Sequence, residues 1–280
     1  MKIIRPQKLK AGDTICVVSP ASPSLTKAYY IKGKSVLRDL GYETTEGAHL
    51  YERHLLFAGT AQARADDVNN AFEDQSVKAI ICTRGGCGTM DILPFIDFSK
   101  IAKNPKILIG YSDITALQLA IFNKTGLITF YGPMVTTEMG KRFTTYTRDN
   151  FFKAITETEA SWGLKNPKSK EMLTIYPGEV SGRLMGGCLS VVVATLGTEY
   201  EIDAKNKILF FEDVDEKPHR VDRYLGQLLL AGKLEQAKGI VFGTFHKCRY
   251  YTRDNYYKYG VSLIDIIKDR IAPLKIPCVY

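Results

Sequence analysis

Ile107-Leu108-Ile109-Gly110-Tyr111-Ser112-Asp113 is a short apolar run that stops at a glycine and leads into a serine and an acid. The run predicts a buried strand over 107–109, and the pattern over 113–123 predicts a helix directly after it. Gly110 permits a tight or left-handed backbone between the two. A strand, a sharp turn and a helix in this order make up half of a βαβ unit, and the residues around it repeat the alternation. Strands are predicted over 14–18, 77–82 and 127–131, with helices over 29–40, closed by Gly41, and over 61–74. Ile- and Val-rich strands separated by helices predict a mostly parallel sheet covered on both faces, hence an α/β fold.

Beyond Thr136 the order changes. Residues 136–169 are polar, dotted with aromatics and weakly periodic, which fits a helix and a connector. A second set of elements follows: a short strand from about Met172, the glycine-rich 181–187, a helix over 189–196 and a strand over 207–211. Pro218 opens a helix running to Leu230, 239–245 is a strand, 263–268 is helical and 276–280 begins a strand. The expected domains are an N-terminal α/β nucleophile domain, 1–165, and a C-terminal α/β domain, 166–280.

At 280 residues and 45% hydrophobic composition the chain can close a substantial core. No run reaches the roughly 18 apolar residues of a membrane span, and the start has no apolar signal core, so no membrane role and a cytoplasmic location are expected. The six cysteines are scattered, with no CxxC and no zinc-ligand cluster, so they are expected as free thiols with no metal. The net charge of +8 is spread along the chain, with dense stretches only at 165–170 and 247–258. No nucleic-acid module accompanies it, so solubility is the expected use of the charge.

Three stretches carry chemistry. Ser112 falls where the ligand crevice of a parallel sheet lies, beyond the carboxyl end of a strand. The amide of Asp113, in the first helical turn, is then a natural oxyanion donor. The same pattern also fits a serine that merely caps the helix, since the second glycine of the common GxSxG elbow is absent. Arg84-Gly85-Gly86-Cys87-Gly88, again directly after a strand, lets a backbone approach a ligand: Gly86 can donate a second oxyanion hydrogen bond, or the loop can cradle a phosphate. A phosphate loop would continue into Gly-Lys-Ser/Thr, which does not follow. In Phe210-Phe211-Glu212-Asp213-Val214-Asp215-Glu216 the first carboxylate, Glu212, ends an apolar strand and suits the role of orienting a histidine. The later acids are expected as solvated or helix-capping charges ahead of Pro218.

On these residues the chain resembles the LD-carboxypeptidase, or muramoyltetrapeptide carboxypeptidase, family of serine peptidases, which also includes microcin self-immunity proteins. The blocks in order are Gly12-Asp13, Ser19-Pro20-Ala21, Arg84-Gly85-Gly86, Gly110-Tyr111-Ser112-Asp113-Ile114-Thr115, Tyr131-Gly132-Pro133, Gly186-Gly187, Glu212-Asp213, Pro218 and Asp222-Arg223. The resemblance implies a flavodoxin-like or class I glutaminase-like N-terminal lobe with a smaller mixed α/β C-terminal lobe, and a homodimer. It implies Ser112 as nucleophile, Glu212 as orienting carboxylate, and the amides of Gly86 and Asp113 as oxyanion hole. Arg84, Gly85, Cys87, Cys188 and Glu216 are the expected substrate contacts.

The implied reaction is hydrolysis of the L,D peptide bond to the terminal D-alanine of murein tetrapeptide in cell-wall recycling, without a cofactor. The alternatives are a microcin-type peptide–nucleotide antibiotic as substrate, and a noncatalytic peptide-binding relative. A nucleotide-binding protein, a third reading, rests on 84–88 alone.

The chain departs from the family pattern in three places. The family's base histidine stands in a Gly-His pair shortly after a final strand, and the chain ends at Pro277-Cys278-Val279-Tyr280, before that pair; a truncated representative is therefore expected. His49, His54, His219 and His246 do not match the pair. Cys87 replaces a usual tyrosine and Cys188 a usual asparagine.

Overall fold

The computed structural model describes residues 2–24, 26–157, 163–167 and 171–280. The chain divides into two compact units, Met1–Leu164 and Lys165–Tyr280. Residues 158–162 and 168–170 of the expected connector lie outside the described residues.

The first unit runs β1 (Thr14–Val18), α1 (Lys27–Asp39), β2 (Glu43–Glu46), α2 (Ala61–Glu73), β3 (Val77–Cys82), α3 (Thr89–Ile92), α4 (Phe98–Lys103), β4 (Ile107–Gly110), α5 (Thr115–Thr125), β5 (Phe130–Tyr131) and α6 (Thr145–Thr156). Its five strands pair only in parallel, in the order β2-β1-β3-β4-β5. This is the flavodoxin-like order, in which the chain reverses direction across the sheet between β1 and β3. Loops leaving those strands diverge to opposite faces and open a crevice beyond their carboxyl ends. The central strands are apolar because both faces are covered: Ile15, Val17, Ala79, Ile81, Ile107 and Ile109 belong to one buried cluster with Leu37 of α1.

The second unit runs β6 (Thr174–Tyr176), β7 (Arg183–Cys188), α7 (Leu189–Ala194), β8 (Lys207–Val214), α8 (Pro218–Leu230), β9 (Gly239–His246), α9 (Leu263–Ile271) and β10 (Cys278–Val279). The sheet order is β6-β10-β9-β8-β7; β7 to β10 are mutually parallel and β6 pairs antiparallel with β10. The fold is therefore mixed α/β, a parallel five-stranded sheet and a second, mixed one. Helix α8 turns Val221, Leu225 and Leu228 inward at the spacing of one helical face.

Three sequence expectations need correction. The helix expected from Asp113 begins as a 3-10 turn over Ser112–Ile114, and regular α-helix starts only at Thr115. The strand expected over 127–131 shrinks to Phe130–Tyr131, because Leu127 is drawn into an isolated bridge with Ile4. Asp213 is neither solvated nor a cap for α8: it is 2% exposed and bonded inside the second unit.

All six cysteines are free; Cys87 is half-buried and the other five are buried. No helix among the described residues is long and apolar enough to cross a membrane.

Candidate active site

Ser112 follows β4 with φ +63°, a left-handed conformation at a residue that has a side chain. Such a backbone costs on the order of 1–3 kcal/mol and persists only where neighbours impose it. Here they do. The Ser112 amide donates to the Tyr131 hydroxyl at 3.0 Å, and the Ser112 carbonyl accepts from the Thr115 hydroxyl at 2.6 Å. Gln118 in α5 donates to the carbonyls of Gly110 and Phe130, tying the end of β4 to β5. Tyr111, at the N-cap position, makes no side-chain cap, and no cap is made by Ser112 either, so the helix-capping reading of the serine does not hold. The Ser112 hydroxyl is left half-buried at the mouth of the turn.

The glycine loop after β3 lies directly against this turn. A Cβ placed on Gly85 would stand 3.0 Å from Ser112 Cβ, 3.1 Å from Ser112 Oγ and 3.2 Å from the Asp113 amide nitrogen. The loop and the turn are thus packed so closely that only a bare backbone at 85 fits without displacing its neighbours. Gly86 has φ +124°, and a Cβ there would run into the Ser22 side chain. Ser22, in the loop after β1, accepts the Cys87 amide at 3.2 Å, with its hydroxyl 3.6 Å from the Cys87 sulfur. Arg84 turns its Nε back to the Gly85 carbonyl at 3.2 Å. Loops from β1, β3 and β4 therefore meet beyond the carboxyl ends of the strands, beside the point where the sheet reverses.

Two buried charged residues hold the glycine loop. The Asp113 carboxylate accepts both the Thr89 amide, at 2.9 Å, and the Thr89 hydroxyl, at 2.5 Å. Arg64 of α2, 2% exposed, donates at 2.7 Å to the carbonyls of Pro20 and Gly88. Burial pushes the Arg64 guanidinium below its ordinary range, and the carboxylates of Asp91 and Asp113 counter that shift.

In the second unit, Cys188 at the end of β7 lies in register with Glu212 of β8. Glu212 is half-buried, whereas its neighbour Asp213 faces inward. Asp213 accepts the amides of Ser190 and Val214, each at 2.8 Å, and lies 3.6 Å from the Cys188 sulfur. It thereby ties the end of β8 to the first turn of α7. Burial first, and then the Asp213 charge, push the Cys188 thiol up to about 12, so it is no thiolate nucleophile at neutral pH. Glu216 faces Arg220 at 3.4 Å across one helical turn.

Of the histidines, His49 pairs with Asp67 at 2.8 Å, His219 stacks on Tyr250, and His54 and His246 are exposed. Among the described residues no group of three or more His, Cys, Asp or Glu is gathered to hold a metal.

The sequence alone does not single out Ser22, Thr89, Tyr131 or Asp213 for these contacts. A signal existed for two of them: Ser22 follows Ser19-Pro20-Ala21 at the end of β1, and Tyr131 opens Tyr131-Gly132-Pro133 at the end of β5.

Residues 15–132 match the LD-carboxypeptidase N-terminal domain and residues 181–280 the LD-carboxypeptidase C-terminal domain. A probable murein peptide carboxypeptidase of Bacillus subtilis is 40% identical over 95% of this chain and 82% of its own. The microcin C7 self-immunity protein of Escherichia coli is 29% identical over 84% of this chain and 77% of its own. A solved MccF-like protein from Bacillus anthracis superposes with a TM-score of 0.85 at 31% identity, covering 99% of this chain and 89% of its own.

Proposed function

The chain belongs to the LD-carboxypeptidase family, and on that premise we propose that it is a serine peptidase releasing the terminal D-alanine of murein tetrapeptide. The observation that carries the reading is the close approach of the glycine loop at Gly85 to both the Ser112 hydroxyl and the Asp113 amide nitrogen, beyond the carboxyl ends of the strands. A reacting carbonyl needs a nucleophile and oxyanion donors within about 3 Å of it.

In this reading Ser112 Oγ attacks the carbonyl carbon of the L,D bond while its proton passes to a histidine base, the role that the resemblance gives to a Gly-His pair. The carbonyl oxygen becomes negative and is received by the amides of Asp113 and Gly86. The Ser112 amide is already committed to Tyr131, so it is not a third donor. Collapse of the tetrahedral species expels D-alanine, which takes up the proton from the histidine. Water then repeats the sequence on the acyl-serine, restoring the hydroxyl and freeing the shortened peptide. Glu212 holds the histidine in one tautomer and stabilises its cationic form. Arg84, Cys87 and Glu216 contact the peptide, while Cys188, buried beside Asp213, is set back from it. The enzyme acts in the cytoplasm as a homodimer and uses no cofactor.

The kinship with the microcin C7 self-immunity protein favours a second substrate class, a peptide joined to a nucleotide, cleaved by the same residues.

The test is covalent labelling of the full-length protein with a serine-directed fluorophosphonate, alongside D-alanine release from murein tetrapeptide. Labelling at Ser112 and a loss on the order of 10⁴-fold or more in kcat for Ser112→Ala are expected. A folded protein that resists the label, or labels elsewhere, ends the proposal. Parallel hydrolysis of a peptide–nucleotide conjugate decides between the two substrates.

A further inference from the structure

We infer that Thr89 and the Asp113 carboxylate form a clamp that sets the spacing of the two oxyanion amides, making Thr89 a positioning residue for acylation. The inference rests on the serine-peptidase reading of Ser112.

The two amides come from different parts of the sheet, Gly86 from the loop after β3 and Asp113 from the turn after β4. The ladder joining these strands ends at the pair Ile81 and Ile109. Gly86 lies five positions beyond Ile81 and Asp113 four beyond Ile109, so pairing of the strands does not set the gap between the amides. Side-chain bonds bridge it. Asp113 carries one of the amides itself, and its carboxylate takes both the amide and the hydroxyl of Thr89, three residues after Gly86. Thr89 is fully buried and Asp113 is 8% exposed, so water does not compete for these bonds.

On its other side the loop is pegged by Ser22 at the Cys87 amide and by Arg64 at the Gly88 carbonyl. Those contacts fix the loop to β1 and α2; the contact with Thr89 fixes it to the nucleophile turn. Removing the Thr89 hydroxyl leaves the carboxylate a single donor, the Thr89 amide, and lets the loop drift relative to Asp113. Oxyanion hydrogen bonds act over a window of a few tenths of an ångström, about 2.7–3.1 Å, so a small drift weakens transition-state binding before it weakens substrate binding.

The experiment uses the full-length protein and three variants. Thr89→Val keeps the shape and the backbone donor but lacks the hydroxyl, Thr89→Ser keeps the hydroxyl, and Asp113→Asn keeps the shape without the charge. The rate of Ser112 labelling by a fluorophosphonate is read with kcat, KM and melting temperature. Thr89→Val is expected to slow both labelling and kcat by about 10- to 100-fold, with KM within about 2-fold, while Thr89→Ser stays within about 3-fold of wild type. A folded Thr89→Val protein that labels at the wild-type rate overturns the clamp, as does one in which only the melting temperature moves. Where Thr89→Val does not fold, Asp113→Asn decides in the same way: slowed labelling supports the clamp and a wild-type rate overturns it. Wild-type protein that is not labelled at Ser112 overturns the peptidase reading, and the clamp with it.

Discussion

Ser112 holds a left-handed backbone that its own side chain disfavours, and every group that imposes it lies within one turn of chain or on the neighbouring strand. Strain of this kind is retained where it presents a reactive atom, and here it lifts a hydroxyl clear of the helix it would otherwise cap. Gly85 is the complementary residue. Its φ is not in the left-handed region, so alanine suits its backbone, and the added Cβ would meet Ser112 and the Asp113 amide at 3.0–3.2 Å. The neighbours, one of them the Asp113 backbone, must give by a few tenths of an ångström, so Gly85→Ala is expected to fold with a somewhat lowered melting temperature. The methyl would stand in the space facing the nucleophile, and kcat/KM on murein tetrapeptide is expected to fall by roughly 100-fold or more. Wild-type turnover in a folded Gly85→Ala protein would show that the substrate carbonyl docks elsewhere. That Ser112 and the Gly85-Gly86 loop stand at the ends of strands was readable from the apolar runs that precede them. That Thr89 and Ser22 hold them was not, because a threonine after a glycine loop and a serine after Ser19-Pro20-Ala21 carry no periodic signal. Their partners lie 24 and 65 residues away.

Strands buried on both faces, as β1 and β3 are, and helices with one apolar face, as α8 is, were legible at once, because continuous or helically spaced apolar residues have few other uses. The edge strand β2, Glu43-Thr44-Thr45-Glu46, carries no apolar residue and was missed, as were α3 and α4, too short at 4 and 6 residues to display a helical period. The buried state of Asp213 was hidden for a different reason: the alternation that turns Leu209 and Phe211 inward runs on to Asp213, but an acid at an inward position reads as a solvated charge unless its partners, the amides of Ser190 and Val214, are known. The segment after β2 is tied to α2 by Asp67, which accepts the His49 amide with both oxygens and the His49 ring at 2.8 Å. That ring contact raises the His49 pKa above its ordinary 6.5, while burial raises that of Asp67. A histidine whose folded pKa exceeds its unfolded one contributes stability that is fully present below the unfolded value and fades as pH rises through the folded one. His49→Ala is therefore expected to lower the melting temperature more at pH 5.5 than at pH 8.5. The difference should be about 2–4 °C, corresponding to about 1 kcal/mol for a partly exposed pair. A gap that stays constant across that range would mean the pair is not charged in the folded protein.

At the scale of the molecule, strand pairing among the described residues is internal to each unit: β1 to β5 form one sheet and β6 to β10 the other. Each sheet also has its own buried apolar residues, Ile81 and Ile109 in the first and Leu209 and Phe211 in the second. A sheet that owns all its backbone partners and a core of its own does not depend on an intact covalent link to the other. The described residues next to the boundary, Gly163 to Asn166, are exposed, with Leu164 at 77%, and Lys165 offers trypsin a cleavage site. Elsewhere, about half of the described lysines and arginines sit in helices and strands, whose backbone must unfold before a protease can bind it. Brief trypsin treatment is accordingly expected to cut first between Leu164 and Tyr176, giving two fragments, identifiable by mass, that persist while the intact chain disappears. Circular dichroism of the nicked sample should keep the helix and strand signal of the uncut protein. Early cutting spread through either sheet would mean that the units do not hold their structure independently, and the C-terminal unit, with its two-residue strand β10 between β6 and β9, is where such cutting would start.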